Sequence, residues 1–301
     1  MNKNSKIFVA GHNGLVGSAI VRKLKELGYN NILTLDRTKY DLRSQFAVND
    51  WFFYNQPEYV FLAAAKVGGI KANSDYKADF IVDNIQIQTN VITAAHKYGV
   101  KKLIFLGSSC IYPKMCPQPI KEEYLLTGPL EQSNDAYAIA KICGIKMCQS
   151  FNLQHGTDFV SVMPTNMYGI NDNYHPQNSH VFPAIIKKLH DAKINGDSKI
   201  HLWGDGTPYR EFLCSDDLAD ALVFIMNNKT PDLINIGTGV DQTIKDLATK
   251  MRDIIYPECE LEFDNNVGIN GTPRKVLDIS LIRSLGWEPK ITLESGIKLA
   301  Y

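Results

Sequence analysis

Apolar positions along this chain switch between two patterns. Residues 6–10 form a short continuous apolar run that stops at Gly11. Residues 15–28 then place Leu15, Val16, Ala19, Ile20, Leu24 and Leu27 at helical spacing. The exchange repeats. Strands are predicted at 31–36, 59–65, 102–109 and 158–164, with helices at 44–55, 78–98 and 136–154. Strands that read as continuous apolar runs are buried on both faces, and intervening helices act as right-handed crossovers. The expected fold class is therefore α/β, with a doubly wound parallel sheet over residues 1–165.

Beyond Pro164 the pattern loosens. Residues 166–180 are rich in Asn, His, Pro and Tyr, which reads as a functional loop. A helix (182–193), a strand (200–203) and a loop (204–210) are expected next, with one more sheet strand at 234–237. The prediction is a smaller C-terminal substrate domain, mainly 166–301, with chain near 210–240 returning to the first domain. The helical pattern runs to the last residue, Tyr301, as in a chain cut short.

Composition narrows the class. The 301 residues are 45% hydrophobic and 21% charged, as in globular chains. Lys+Arg and Asp+Glu are 32 each, so no global field draws the chain to nucleic acid or anionic lipid. The apolar run 59–65 stops at Lys66, short of the ~20 residues that cross a bilayer. The six cysteines (Cys110, Cys116, Cys143, Cys148, Cys214, Cys259) form no Cys-x-x-Cys pair. Reduced thiols in the cytoplasm, with no metal site, are expected.

Gly11-His12-Asn13-Gly14-Leu15-Val16-Gly17 follows a strand and opens a helix. Such glycines allow a tight turn and close approach of a pyrophosphate, which the helix N-terminus then faces. Asp36 lies roughly twenty residues beyond, where a Rossmann carboxylate reads the adenosine ribose. That favours NAD, yet Arg37 beside it can neutralise the 2′-phosphate of NADP. These residues leave the nucleotide open.

Tyr137 and Lys141 sit at i and i+4, on one helix face. A neighbouring ammonium favours phenolate and is expected to lower a tyrosine pKa from its usual ~10. The tyrosine then gives a proton to a ketone oxygen while hydride attacks the carbon. The preceding strand ends in Gly107-Ser108-Ser109. A serine there points into the ligand crevice and can hold the same oxygen.

The order Gly-x-x-Gly-x-x-Gly, Ser, Tyr-x-x-x-Lys resembles the extended short-chain dehydrogenase/reductases, which act on nucleotide sugars. More specific segments lie between. They are Ala63-Ala-Ala-Lys-Val-Gly-Gly-Ile70, Gly107-Ser-Ser-Cys-Ile-Tyr-Pro-Lys114, Met163-Pro-Thr-Asn-Met-Tyr-Gly169, Asn178-Ser-His-Val181 and Gly271-Thr-Pro-Arg-Lys275. Together they resemble the GDP-L-fucose synthase family over nearly the whole chain.

The resemblance implies a bifunctional 3,5-epimerase and NADPH-dependent 4-reductase acting on GDP-4-keto-6-deoxy-D-mannose; with Asp36 offset by Arg37, NADPH is expected to be preferred and NADH also used. It implies Cys110 and His180 as base and acid for the epimerisations, beside Ser108, Tyr137 and Lys141. Pro164, Asn166, Met167 and His180 are implied cofactor contacts. Lys188, Trp203, Arg210 and Asn270 are implied substrate contacts. A homodimer is implied through the helices at 78–98 and 136–154. Two positions depart from the family. Asn270 stands where Asp is common, and Asn13 where a basic residue often flanks the NADP phosphate. Rival readings are another nucleotide-sugar epimerase, dehydratase or reductase, and a non-catalytic dinucleotide sensor. A sensor has no need of the Tyr137/Lys141 pair, and a simple 4-epimerase has no need of both Cys110 and His180.

Overall fold

The computed structural model describes residues 1–176, 179–264 and 272–301. Its strands are β1 (Ile7–Ala10), β2 (Ile32–Leu33), β3 (Tyr59–Leu62), β4 (Lys102–Leu106), β5 (Phe159–Pro164), β6 (Asn166–Tyr168), β7 (Lys199–Trp203), β8 (Tyr209–Cys214), β9 (Leu233–Ile236), β10 (Asp241–Thr243), β11 (Glu260–Asp264) and β12 (Arg274–Lys275). Its helices are α1 (Leu15–Glu26), α2 (Gln45–Asn55), α3 (Ile70–Asp75), α4 (Lys77–Lys97), α5 (Asp135–His155), α6 (Val181–Asn195), α7 (Ser215–Asn227), α8 (Ile244–Ile255), α9 (Ser280–Ser284) and α10 (Leu293–Ala300).

The main sheet is parallel throughout, in the order β2-β1-β3-β4-β5-β9. This is the doubly wound Rossmann arrangement that the alternation of periods predicts. The strand order reverses between β1 and β3, and ligands bind such sheets outside the carboxyl ends of the strands. β1, β4 and β5 are buried along their whole length, which is why they read as unbroken apolar runs.

Several boundaries differ from the sequence expectation. β2 has two residues rather than six, because it is an edge strand with only β1 to pair with, and Asp36 lies beyond its end. β3 and β4 stop three residues early, where the chain leaves the ladder to build loops. The expected loop at 166–180 begins with β6, which pairs in parallel with β8. β8 itself starts at Tyr209, inside the loop expected over 204–210. α3 was not expected; it is a six-residue helix without a side-chain cap.

Buried side chains fall into two clusters. The first lines both faces of the main sheet, where Phe8 meets Trp51 at 4.1 Å between ring centroids. α7 packs there, and so do Leu277, Ile279, Ile282 and Trp287. The second cluster joins α6, α8, β7 and β8 around Tyr168 and Phe182, whose rings stack at 3.9 Å. No helix among the described residues is long and apolar enough to cross a membrane.

Candidate functional site

The phosphate loop is shaped by contact. Gly11 has φ +85°, and a Cβ there would sit 2.7 Å from the Ala64 backbone nitrogen. A Cβ on Gly17 would collide with the Gly11 carbonyl oxygen. The Gly14 amide donates to that same oxygen at 3.0 Å, closing the turn. Gly14 is also the N-cap of α1 and supplies no side-chain cap, so the first-turn N–H groups stay available. A cradle that a Cβ would fill, at an uncapped helix N-terminus, fits a pyrophosphate. Leu15 and Val16 form that first turn, while His12 is half-buried and Asn13 exposed.

Beyond β2, the Asp36 carboxylate accepts from the Thr38 amide (2.9 Å) and hydroxyl (2.7 Å). The Thr38 hydroxyl and amide hold it below the usual carboxylate range. Arg37 is exposed beside it. Pro164 ends β5, and Asn166 is pinned to β8 by its amide, which donates to the Glu211 carbonyl at 2.8 Å. Met167 packs partly buried against the first core.

The chemistry gathers at the end of β4. After Gly107 the chain turns into a 3₁₀ segment, Ser109–Ile111, capped by the Ser108 hydroxyl, which accepts from the Cys110 amide at 3.3 Å. Cys110 is buried at 8% exposure. Against it packs α5. Ala138 and Ala140 are buried, and a Cβ on Gly144 would meet the Phe105 ring. These small residues let α5 lie close to β4, so Tyr137 and Lys141 reach the strand end.

Lys141 donates to the Leu106 carbonyl at 2.7 Å, and its ammonium lies 5.7 Å from the Tyr137 ring centroid. Burial pushes Lys141 down to about 8. Tyr137 differs from the expectation. Burial pushes its phenol above the usual value, the Cys110 sulfur adds to that, and only the Ser108 hydroxyl opposes it. The lysine is itself desolvated and committed to Leu106, so enclosure outweighs its charge. The neutral phenol that results is the form that gives a proton. Burial likewise pushes the Cys110 thiol up, opposed by Lys275, Ser108 and Lys141.

His180 is the N-cap of α6 and water-accessible. Atoms crowding it still hold its imidazole below the usual value, and the positive helix end acts in the same sense. Among the described residues no hydrogen bond or ion pair joins it to Cys110. Ser108, Cys110, Tyr137 and Lys141 are thus brought together directly, whereas His180 arrives on a separate loop.

Lys188 donates to the His201 carbonyl at 2.6 Å, with its ammonium 5.5 Å from the Trp203 ring centroid. Trp203 is 49% exposed, so it is not core and offers a face for stacking. Arg210 lies on β8 and donates to the Tyr209 carbonyl at 2.7 Å; burial pushes its guanidinium down. Asn270 lies outside the described residues, as does Asn178 of the quoted motif. Sequence reasoning gave no role to Lys275, Glu131 or Asn134, which line a small pocket with Cys110. The signal for Lys275 was its place in Gly271-Thr-Pro-Arg-Lys275. Glu131 and Asn134 carry none.

The model of the "NAD dependent epimerase/dehydratase family" matches residues 7–237. "GDP-L-fucose synthase 1" of Arabidopsis thaliana is 54% identical over 100% of this chain and 93% of its own length. "GDP-L-fucose synthase" of Escherichia coli (strain K12) is 47% identical over 98% of this chain and 95% of its own. Among solved structures, "MlghC, GDP-mannoheptose C4 reductase from Campylobacter jejuni with NADP bound" superposes with TM-score 0.92 at 40% identity, covering 100% of this chain and 98% of that one. The family-model match, a shared fold and full-length similarity lead to one conclusion: this chain belongs to the NAD dependent epimerase/dehydratase family, on the branch that includes the GDP-L-fucose synthases.

Proposed function

We propose that this protein is a 3,5-epimerase and NADPH-dependent 4-reductase that converts GDP-4-keto-6-deoxy-D-mannose to GDP-L-fucose. The carrying observation is the gathering of a thiol and a phenol, Cys110 and Tyr137, around the hydroxyl of Ser108. In the substrate, C3 and C5 flank the C4 ketone, which acidifies their protons through an enolate. Cys110 takes a proton from carbon, and Ser108 and Tyr137 stabilise the developing oxyanion. His180, kept neutral when unloaded, takes up a proton and returns it to the opposite face. Both inversions precede reduction, because an alcohol at C4 no longer acidifies its neighbours. Bound NADPH supplies the hydride that C4 accepts. Tyr137 gives its proton to the C4 oxygen, and Lys141 orients and recharges it.

Gly11 to Gly17, Asp36, Arg37, Pro164, Asn166 and Met167 hold the cofactor in this reading. Trp203 stacks on guanine, while Lys188 and Arg210 take the diphosphate. The second core cluster acts as the substrate domain. The molecule works as a homodimer, and its six free thiols suit a reducing, cytoplasmic compartment.

The test is incubation with GDP-4-keto-6-deoxy-D-mannose and NADPH in deuterated water. Nicotinamide absorbance should fall with formation of GDP-L-fucose labelled at C3 and C5. A product that keeps the starting configuration at both carbons would leave a 4-reductase alone.

A further inference from the structure

We infer that Lys275 is a positioning residue for proton abstraction: it lines the small pocket beside the 3₁₀ turn with Cys110, and its ammonium favours the thiolate form of that sulfur in the step that takes the substrate's proton. The inference rests on Cys110 being the base in the proposed function.

The backbone places Lys275 deliberately. β12 pairs in parallel with β8, with Lys275 opposite Arg210. The next residues are clamped on both sides. The Val276 amide donates to Gln118 Oε1 at 2.9 Å, the Ile120 amide to the Val276 carbonyl at 2.8 Å, and the Leu277 amide to the buried Glu211 Oε2 at 2.8 Å. Strand alternation then separates the two basic side chains of β12. Arg274 is spent on Asp241, with contacts of 2.6 and 3.0 Å. Lys275 instead lines the cavity with Ser109 and Cys110. No hydrogen bond or ion pair among the described residues takes up its ammonium.

The charges around this pair favour the same reading. Facing Cys110 are Lys275, Lys141, and the neutral groups Ser108 and Tyr137. Of the two ammonium groups, Lys275 acts more strongly on the thiol. Facing Lys275 in turn are Arg210, Cys116 and Glu131. The one carboxylate of that set, Glu131, is held by Lys114 at 2.7 Å, so it quenches Lys275 little. Enclosure disfavours both charges separately, and the remedy is the opposite charge next door. In the step itself, the thiolate's electron pair takes the proton. The C–H pair moves into the enolate, and the neutral thiol remains beside the ammonium until His180 and solvent reset the site.

The test is the pH dependence of Cys110 alkylation by iodoacetamide in the NADP-loaded enzyme, read by mass spectrometry of the Cys110 peptide. Lys275→Met should move the midpoint upward and slow alkylation at neutral pH by about tenfold or more. Deuterium wash-in at C3 and C5 should slow through kcat, and Lys275→Arg should restore both. Lys275→Gln is a second neutral variant, so poor folding of one does not decide the matter. An unmoved midpoint in the neutral variants overturns the inference. So does a raised KM for the GDP-sugar with an unmoved midpoint, which leaves Lys275 a phosphate anchor only. If Cys110→Ser keeps full wash-in while Lys275→Met still moves the midpoint, the base assignment fails and the charge pairing stands.

Discussion

Tyr137 and Lys141 divide the work of one proton. The phenol is enclosed and neutral, and the ammonium beneath it is held near the pH where it can lose its charge. Tyr137→Phe keeps the ring against Phe80 but removes the donor. NADPH consumption should fall ~10²–10⁴-fold while deuterium wash-in persists, since wash-in needs the thiol more than the phenol. Near-normal reduction by this variant removes Tyr137 from its role. Lys141, pushed down to about 8, carries its proton below that pH and sheds it above. The single-turnover reduction rate should therefore decline as pH rises through about 8, also when Cys110 is replaced by Ser. A profile flat well beyond that pH counts against Lys141 as the recharging group. Asp36 stays ionised through Thr38, so its repulsion of a 2′-phosphate persists and Arg37 must offset it. Arg37→Ala should lower kcat/KM for NADPH by about tenfold, chiefly through KM, and leave NADH nearly unaffected. Equal losses with both cofactors argue that Arg37 does not read the phosphate.

At the scale of elements, the turn between β1 and α1 and the contact of α5 with β4 both depend on missing side chains. Gly17→Ala forces a methyl group into the Gly11 carbonyl, and the turn must open. The dissociation constant for NADPH should rise roughly tenfold, ~1.4 kcal/mol, as followed by nicotinamide fluorescence. Unchanged binding means the phosphates sit elsewhere. Gly144 plays the matching part on α5, letting the helix approach Phe105 so that Lys141 reaches Leu106. The spacing of Tyr137 and Lys141 is a local property of one helix. Their depth in the crevice comes from these close approaches.

For the whole molecule, α4 and α5 lie side by side, tied by Gln88 donating to the Ala140 carbonyl at 2.6 Å and by the Lys77–Asp135 pair at 2.9 Å. Their outer faces still expose Val82, Ile139 and Leu153. In the proposed homodimer, two such pairs across a two-fold axis would bury these side chains in an isologous contact. Sedimentation at micromolar concentration should give the mass of two 33.8 kDa chains, and Ile139→Glu with Leu153→Glu should yield monomers. A wild-type mass of one chain discards this interface.

The alternation of buried strands and helices was legible in the sequence because burial on both faces leaves an unbroken apolar run. The phosphate loop, Ser108, and the Tyr137/Lys141 spacing were legible for a similar reason. Each is a short-range constraint, met within one turn or one helix. The short extent of β2 and the existence of β6 were not, because their pairing depends on partners distant in the chain and two or three residues carry no period. The direction of the Tyr137 shift also lay beyond the sequence, since it is set by enclosure rather than by spacing. The environment of Cys110 was decided by tertiary structure alone. Lys275 reaches it only because β12 pairs with β8 and Glu211 and Gln118 clamp the residues that follow. Charge acts through space, and the chain brings these groups together only when the sheet and the second core have closed around them.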